Sequence, residues 1–381
     1  MLSDPQIHYL DNAATTRVDP AVTEVIHDAL VELWANPSSL YDPAVAAQDA
    51  IDTARARVAK TLHCRSDEIY FTSCGSEGNN MAVYGAARPR RHWGSKIVVT
   101  GFEHPSVQRP LERLAKQGYD VTVVAPRADG TLDIAAMLER VDKNTVLVAC
   151  MMVNNEIGTR NDVERLAAEV KHRNSRTIVH VDAVQAWMRV PIKLANIDTL
   201  SVSGHKIHAP KGIGALYLRK GYHIEPPYLG GGQEKGMRPG TENLPYAIGM
   251  AKAATLLSRT LPQRHKTLVE LNTRLREGLK QFPEITLNSP EDAVPEVLNF
   301  SLNVIRSETM LHHLETMGVY VSSGSACSKG AASHTLTAMG LEPRRIDTAI
   351  RASFCADNTP EDVDALLEGL KTGLATLSRI R

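Results

Sequence analysis

The sequence has no excess of charge. With 43 basic and 43 acidic residues its formal charge is zero, so nothing global draws the chain toward nucleic acid or an anionic membrane, and any partner must be recognised locally. It is poor in cysteine. The five present, Cys64, Cys74, Cys150, Cys327 and Cys355, are odd in number and show no C-x-x-C spacing, which excludes a disulfide framework and a zinc site and suits a reducing cytoplasm. The N-terminal residues contain no basic segment followed by an apolar core, and no long uncharged apolar run occurs, so neither a leader nor a membrane span is expected. Internal repeats and low-complexity linkers are missing too. What is present is enough chain, 381 residues, to exceed one hydrophobic core and predict two domains.

Apolar runs alternate with stretches of helical spacing. Residues 68–71, 96–100, 119–124, 146–153, 177–181 and 197–202 read as buried strands, and residues 20–33, 44–62, 81–87 and 134–141 read as helices. This alternation predicts an α/β fold with a mainly parallel sheet covered by helices on both faces. After Asn243 the texture changes. Residues 246–259, 266–281, 309–316 and 360–380 have helical spacing and 297–304 alternates like a strand, which predicts a smaller α+β domain.

The chemistry collects where strands end. The strand 197–202 breaks into Ser203-Gly204-His205-Lys206, and a lysine partly removed from water there loses hydration, so that its neutral amine becomes able to form a Schiff base. By itself the stretch also fits a surface loop with a solvated lysine. Upstream, His180-Val181-Asp182 puts a carboxylate at the C-terminal edge of another strand. An acid and a lysine so placed are the two protein groups that a pyridoxal phosphate site needs, for the pyridinium nitrogen and the Schiff base.

Other strand ends add to this. Thr72-Ser73-Cys74-Gly75-Ser76 joins a strand to a helix start, and its backbone N–H groups with the positive end of the helix dipole make an anion cup; serine and glycine cap ordinary helices as well. His104 ends the strand 96–100, facing the crevice where open α/β sheets bind ligands. Arg88, Arg90, Arg91, His92 and Lys96 with Trp93 form a basic cluster, read as a solvated connection rather than a nucleic-acid surface. Small residues, Ser325-Ala326 before and Ser328 after, deny Cys327 a packing role, whereas Cys64, Cys74 and Cys150 adjoin apolar or strand segments and read as inert. Cys355, close to Arg351, is the competing nucleophile.

Nearly the whole chain resembles the aminotransferase class V group of pyridoxal phosphate enzymes, and within it the cysteine desulfurases. The segments that carry the likeness include Asp11-Asn12-Ala13-Ala14-Thr15-Thr16, Asn36-Pro37-Ser38-Ser39, Glu103-His104-Pro105, Asn154-Asn155-Glu156-Ile157-Gly158, Ser203-Gly204-His205-Lys206, Arg238-Pro239-Gly240-Thr241-Glu242-Asn243 and Ser322-Ser323-Gly324-Ser325-Ala326-Cys327. The resemblance implies a fold type I enzyme with a large cofactor domain, 17–255, and a small domain, 1–16 with 256–381, that carries the cysteine loop. It implies Lys206 as covalent anchor and base, Asp182 on the ring nitrogen, His104 stacked on the ring, and Gly75 and Ser76 on the phosphate. Asn155 and Gln185 would meet the phenolic side of the cofactor, Ser203 and His205 would flank the lysine, and Arg351 would grip the substrate carboxylate with Asn155 nearby. L-cysteine would become L-alanine, leaving sulfur on Cys327 as a persulfide for an acceptor protein. A homodimer would bring Thr241 to the neighbour's cofactor phosphate, with no metal involved.

The chain departs from the family pattern at four places. Cys74 stands where many relatives carry glycine, Tyr41 where they usually carry histidine, and Pro239 where some carry serine. The stretch from Cys327 to His334 is shorter than in long-loop members. A shorter tether limits the reach of a persulfide and implies a dedicated acceptor, such as that for DNA phosphorothioation, with iron–sulfur assembly and tRNA thiolation as alternatives. A selenocysteine lyase, another class V aminotransferase-like enzyme and a non-catalytic partner-binding scaffold are the competing readings.

Overall fold

The computed structural model describes residues 7–324 and 332–380. Its centre is a seven-stranded sheet whose order is Ile69–Thr72, Gly214–Leu218, Thr199–Ser203, Ile178–Asp182, Thr145–Met151, Lys96–Thr100 and Asp120–Val124. The strands Thr145–Met151 and Ile178–Asp182 are buried along their whole length, which explains their mainly apolar character: both faces are covered. Only Gly214–Leu218 runs antiparallel to its neighbours, and the other adjacent pairs are parallel. The expected α/β architecture is the observed one. No helix among the described residues is long and apolar enough to cross a membrane.

The helices on this sheet start where the sequence supplies caps. Asp133 accepts from the Ala136 N–H and Asp162 from the Arg165 N–H, each satisfying one orphan donor of a first turn. The helix Gly75–Ala87 begins six residues before the apolar run that announced it. Its first turn is small and polar because it borders a cavity.

A second apolar core gathers Leu10, Leu298, Phe300, Ile350, Leu366 and Leu370. The antiparallel strands Thr286–Leu287, Val297–Ser301 and Ala349–Ser353 form its sheet, and the helices Ser307–Thr316 and Pro360–Thr376 pack around it. The N-terminal strand His8–Tyr9 joins this side by pairing in parallel with Val319–Tyr320.

Two helices read at 246–259 and 266–281 are one, Leu244–Leu279, of 36 residues with Pro262 inside it. A proline in a helix interior costs about 3 kcal/mol. The helix bears that cost because its first half buries Ala247, Met250 and Ala254 in the first core while Leu268, Leu271, Leu275 and Leu279 sit in the second, each large side chain contributing roughly 1.5–3 kcal/mol. The boundary expected between 255 and 256 therefore falls within a continuous helix.

The basic cluster is not simply solvated. Arg88 lies over the Tyr84 ring at 4.8 Å, Arg91 over Tyr119 at 4.7 Å, and Trp93 lies under Arg176 at 4.0 Å. Two of the cluster's cations, Arg88 and Arg91, thus rest on aromatic faces within the chain.

Candidate active site

The C-terminal ends of the parallel strands converge on a cavity of about 200 Å³, where open α/β sheets bind ligands. Lys206 arrives on a single tight turn, Gly204–Lys206, directly after the strand Thr199–Ser203. Gly204 is required there, since a Cβ would come within 2.8 Å of the Ile213 side chain. The lysine Nζ donates to the carbonyls of Ala13 and Ala14, each at 2.7 Å.

Asp182, 4% exposed, closes the neighbouring strand. Its carboxylate accepts from the Val184 N–H at 2.9 Å and from Asn79 Nδ2 at 2.7 Å. Asn79 is the hub of a buried relay. Its Nδ2 also donates to Ser106 Oγ at 2.9 Å, and Ser106 Oγ in turn lies 2.8 Å from His104 Nδ1. His104 Nδ1 accepts the Ser106 N–H as well, as cap of the helix Pro105–Lys116, so the ring proton resides on Nε2. On the far side Asn79 Oδ1 accepts from His180 Nε2 at 3.0 Å, which burial keeps neutral by pushing its pKa down to about 4. Burial also lowers the pKa of His104, with Asp182 pulling the other way, and His205 is pushed down to about 4 by burial and the adjacent Lys206.

The start of the helix Gly75–Ala87 borders the same cavity and could receive an anion. Cys74 precedes the helix Gly75–Ala87 with no side-chain cap, so the first N–H groups stay available beside Gly75 and Ser76. A Cβ on Gly75 would meet Val184 Cγ2 at 2.4 Å, so only glycine lets the loop approach this closely. Ser203 Oγ is buried without a partner among the described residues and borders the same cavity. An uncapped helix start, an orphaned hydroxyl, an imidazole, a carboxylate and a lysine are the donor and acceptor set that pyridoxal phosphate requires. The residues fit the group.

Arg351 lies opposite, 1% exposed. It donates to Asp11 Oδ1 at 2.7 Å and to the Asn155 carbonyl at 3.0 Å, while its Nε has no partner among the described residues. Gln185 Nε2 donates to Ala13 O at 2.9 Å and its Oε1 accepts from Arg189.

The structure thus brings Gly75, Ser76, His104, Asn155, Asp182, Gln185, Ser203, His205, Lys206 and Arg351 to one cavity. Thr241 does not border it and is exposed. Cys327 lies outside the described residues. Cys74, expected to be inert, forms part of the cavity wall. Asn79 and Ser106 are the residues that sequence reading missed; a signal for Asn79 existed in its position one helical turn after Gly75, which puts both on one face.

Comparison with known proteins agrees with this site. The aminotransferase class-V family model matches residues 8–366, and the chain belongs to that family. A cysteine desulfurase of Nostoc sp. is 41% identical over 373 residues, covering 94% of this chain and 91% of the relative. Among solved structures, a NifS-like protein superposes with a TM-score of 0.92 at 36% identity, covering 97% of this chain and 99% of its own. DndA from Streptomyces lividans superposes at 0.78 with 34% identity, covering 91% and 99%. Within the family the chain falls among the cysteine desulfurases, and its cofactor is pyridoxal phosphate.

Proposed function

We infer that this chain takes sulfur from L-cysteine, leaves L-alanine, and passes the sulfur to an acceptor protein. The convergence of Lys206, Asp182 and His104 with the uncapped start of the helix Gly75–Ala87 and with Arg351 on one cavity carries the reading. When bound, pyridoxal phosphate supplies the electron sink that makes the substrate Cα proton removable. Lys206 would anchor the group and serve as the amine that takes that proton. Asp182, held by Asn79 and the Val184 N–H, would pair with the ring nitrogen. His104, with its proton on Nε2, would hold the ring, with Gln185, Asn155, Ser203 and His205 on its polar atoms. Gly75 and Ser76 would receive the phosphate.

Arg351 receives the substrate carboxylate, for which a guanidinium fork is the matching donor. Cys327 takes the sulfur: its thiolate attacks the substrate sulfur, an S–S bond forms as the C–S bond breaks, and the electron pair left on carbon accepts a proton toward alanine. The test is to mix the loaded enzyme with L-cysteine and a dithiol reductant and to measure alanine and sulfide together. Both should rise in equal amounts. No alanine would refute the reading.

The two-domain division at 17–255 against 1–16 with 256–381 belongs to this proposal, as does a homodimer. Leu30, Val31, Trp34, Leu40 and Tyr41 expose apolar side chains close together in sequence, which supports a covered face. Thr241, exposed and away from its own cavity, would serve the neighbour's cofactor phosphate. Sedimentation of the loaded enzyme should give a dimer, and an active monomer would exclude the arrangement. Free thiols at Cys64, Cys74, Cys150 and Cys355 support a reducing, cytoplasmic setting. The short stretch from Cys327 to His334 favours one dedicated acceptor, in phosphorothioation, iron–sulfur assembly or tRNA thiolation.

A further inference from the structure

Cys355 is a free, partly buried thiol that the chemistry described above does not use. One donor atom each from His208, Cys355 and Asp357 lie within 4.8 Å of one another. The three come from separate stretches of the chain. His208 stands two residues after Lys206, beyond the turn Gly204–Lys206, whereas Cys355 and Asp357 follow the strand Ala349–Ser353 that carries Arg351.

Two features of His208 point to ligation. Its backbone is left-handed, with φ of +61°, a conformation that disfavours residues with a Cβ although histidine takes it more often than most. The fold holds it there: the His208 N–H donates to Thr16 Oγ1 at 2.8 Å, and its carbonyl accepts from the Asp19 N–H at 3.1 Å. The ring Nδ1 lies 3.0 Å from the Arg17 carbonyl. A carbonyl only accepts, so the ring proton sits on Nδ1 and the lone pair is left on Nε2, which is how metal-binding histidines are commonly oriented. Burial lowers the pKa of this ring, with Asp357 opposing, and so favours the neutral form that ligation needs.

The charges suit a divalent cation. A thiolate and a carboxylate supply two negative charges and a neutral imidazole none. Arg189 and Arg264 act on His208 and Cys355, but both also face the buried Glu296, which shares their charge. The donor set also selects the ion: thiolate and imidazole suit Zn²⁺ and its kin, whereas Mg²⁺ and Ca²⁺ take oxygen ligands. Tetrahedral donors about 2.0–2.3 Å from such an ion stand roughly 3.5 Å apart, so the trio has to draw in by only about 1 Å, and the Asp357 side chain is exposed. Cys355 and Asp357 border a cleft of about 1170 Å³, through which an ion can enter and water can take the fourth position. We propose that His208, Cys355 and Asp357 bind one divalent cation of the zinc class, which displaces the thiol proton to solvent and ties the lysine turn to the arginine strand. The cysteine spacing that argued against a zinc site does not bear on ligands drawn from distant turns.

Co²⁺ is the probe, because four-coordinate cobalt gives visible bands to the red of the cofactor's absorbance and a thiolate ligand adds a near-ultraviolet charge-transfer band. The loaded enzyme is titrated with Co²⁺, dialysed, and its bound cobalt counted. Wild type should hold one ion per chain and show both bands. Cys327→Ser should do the same, which separates this site from the thiol that takes sulfur. Cys355→Ser should lose the charge-transfer band, and Asp357→Asn and His208→Asn should each weaken binding by at least about 10-fold. Asparagine is chosen at 208 because it tolerates the left-handed backbone. Zn²⁺ should displace the cobalt and raise the thermal midpoint of wild type but not of Cys355→Ser. Wild type that takes up no cobalt, or cobalt that binds Cys355→Ser and His208→Asn as well as wild type, would mean an adventitious ion only and overturn the proposal. Loss of both bands in Cys327→Ser would overturn it too, by placing the ion elsewhere. Should the variants at the site not fold, X-ray absorption of cobalt in Cys327→Ser decides: one sulfur ligand supports the site, and nitrogen and oxygen ligands alone refute it.

Discussion

Lys206→Ala should lose alanine formation by at least about 10³-fold, the scale expected when a positioned acid–base group is deleted. Borohydride reduction of the wild type followed by peptide mapping should place the cofactor on Lys206, and the variant should carry none there. Among the described residues, Lys206 is the lysine that borders the cavity. The Ala13 and Ala14 carbonyls hold its Nζ at the cavity wall, so the amine is positioned before any ligand arrives. Label on another lysine, or alanine formation that survives Lys206→Ala, would overturn the assignment.

The second large effect separates capture from sulfur removal. Cys327→Ser should keep the visible absorbance of the bound cofactor and still respond to L-cysteine, because the residues proposed to hold the cofactor lie elsewhere in the chain. It should lose most of its alanine formation, since a serine hydroxyl is essentially un-ionised at neutral pH and a poor attacker on sulfur. Wild type treated with L-cysteine should gain the mass of one sulfur on the peptide that contains Cys327. The rivals differ in standing. Burial pushes the thiols of Cys64 and Cys355 up to about 12, and Cys150 rises well above its usual range for the same reason, so these three remain protonated at neutral pH. Cys74 borders the cavity and is the control that matters: sulfur mapped to Cys74, or normal alanine from Cys327→Ser, would show that the wrong thiol has been assigned.

Much of this site was legible in sequence because its residues sit at strand ends, and strand ends are marked by a change from apolar to small and polar residues. Asp182, His104 and Lys206 each follow such a change, and a parallel sheet delivers its C-terminal edges to one side. The Gly75-Ser76 cup was legible for a similar reason, since a helix start after a strand carries its own donors. Helix length was not. Local spacing around Pro262 argues for two helices, and only the burial of Ala247, Met250 and Ala254 at one end and of Leu268, Leu271 and Leu275 at the other makes one helix the lower state.

By itself the sequence determined the α/β class and the family, and it singled out the proposed lysine, acid and anion cup, because each depends on residues adjacent in the chain or repeated with a short period. Only the tertiary structure decided what joins them. Asn79 reaches Asp182 across 103 positions, Arg351 reaches Asp11 across 340, and Glu156 reaches Ser333 across 177. No periodicity encodes such pairs. They exist because two cores, linked by the helix Leu244–Leu279, bring distant turns within hydrogen-bond range in a dry interior, where an unpaired polar group would cost about 1–3 kcal/mol.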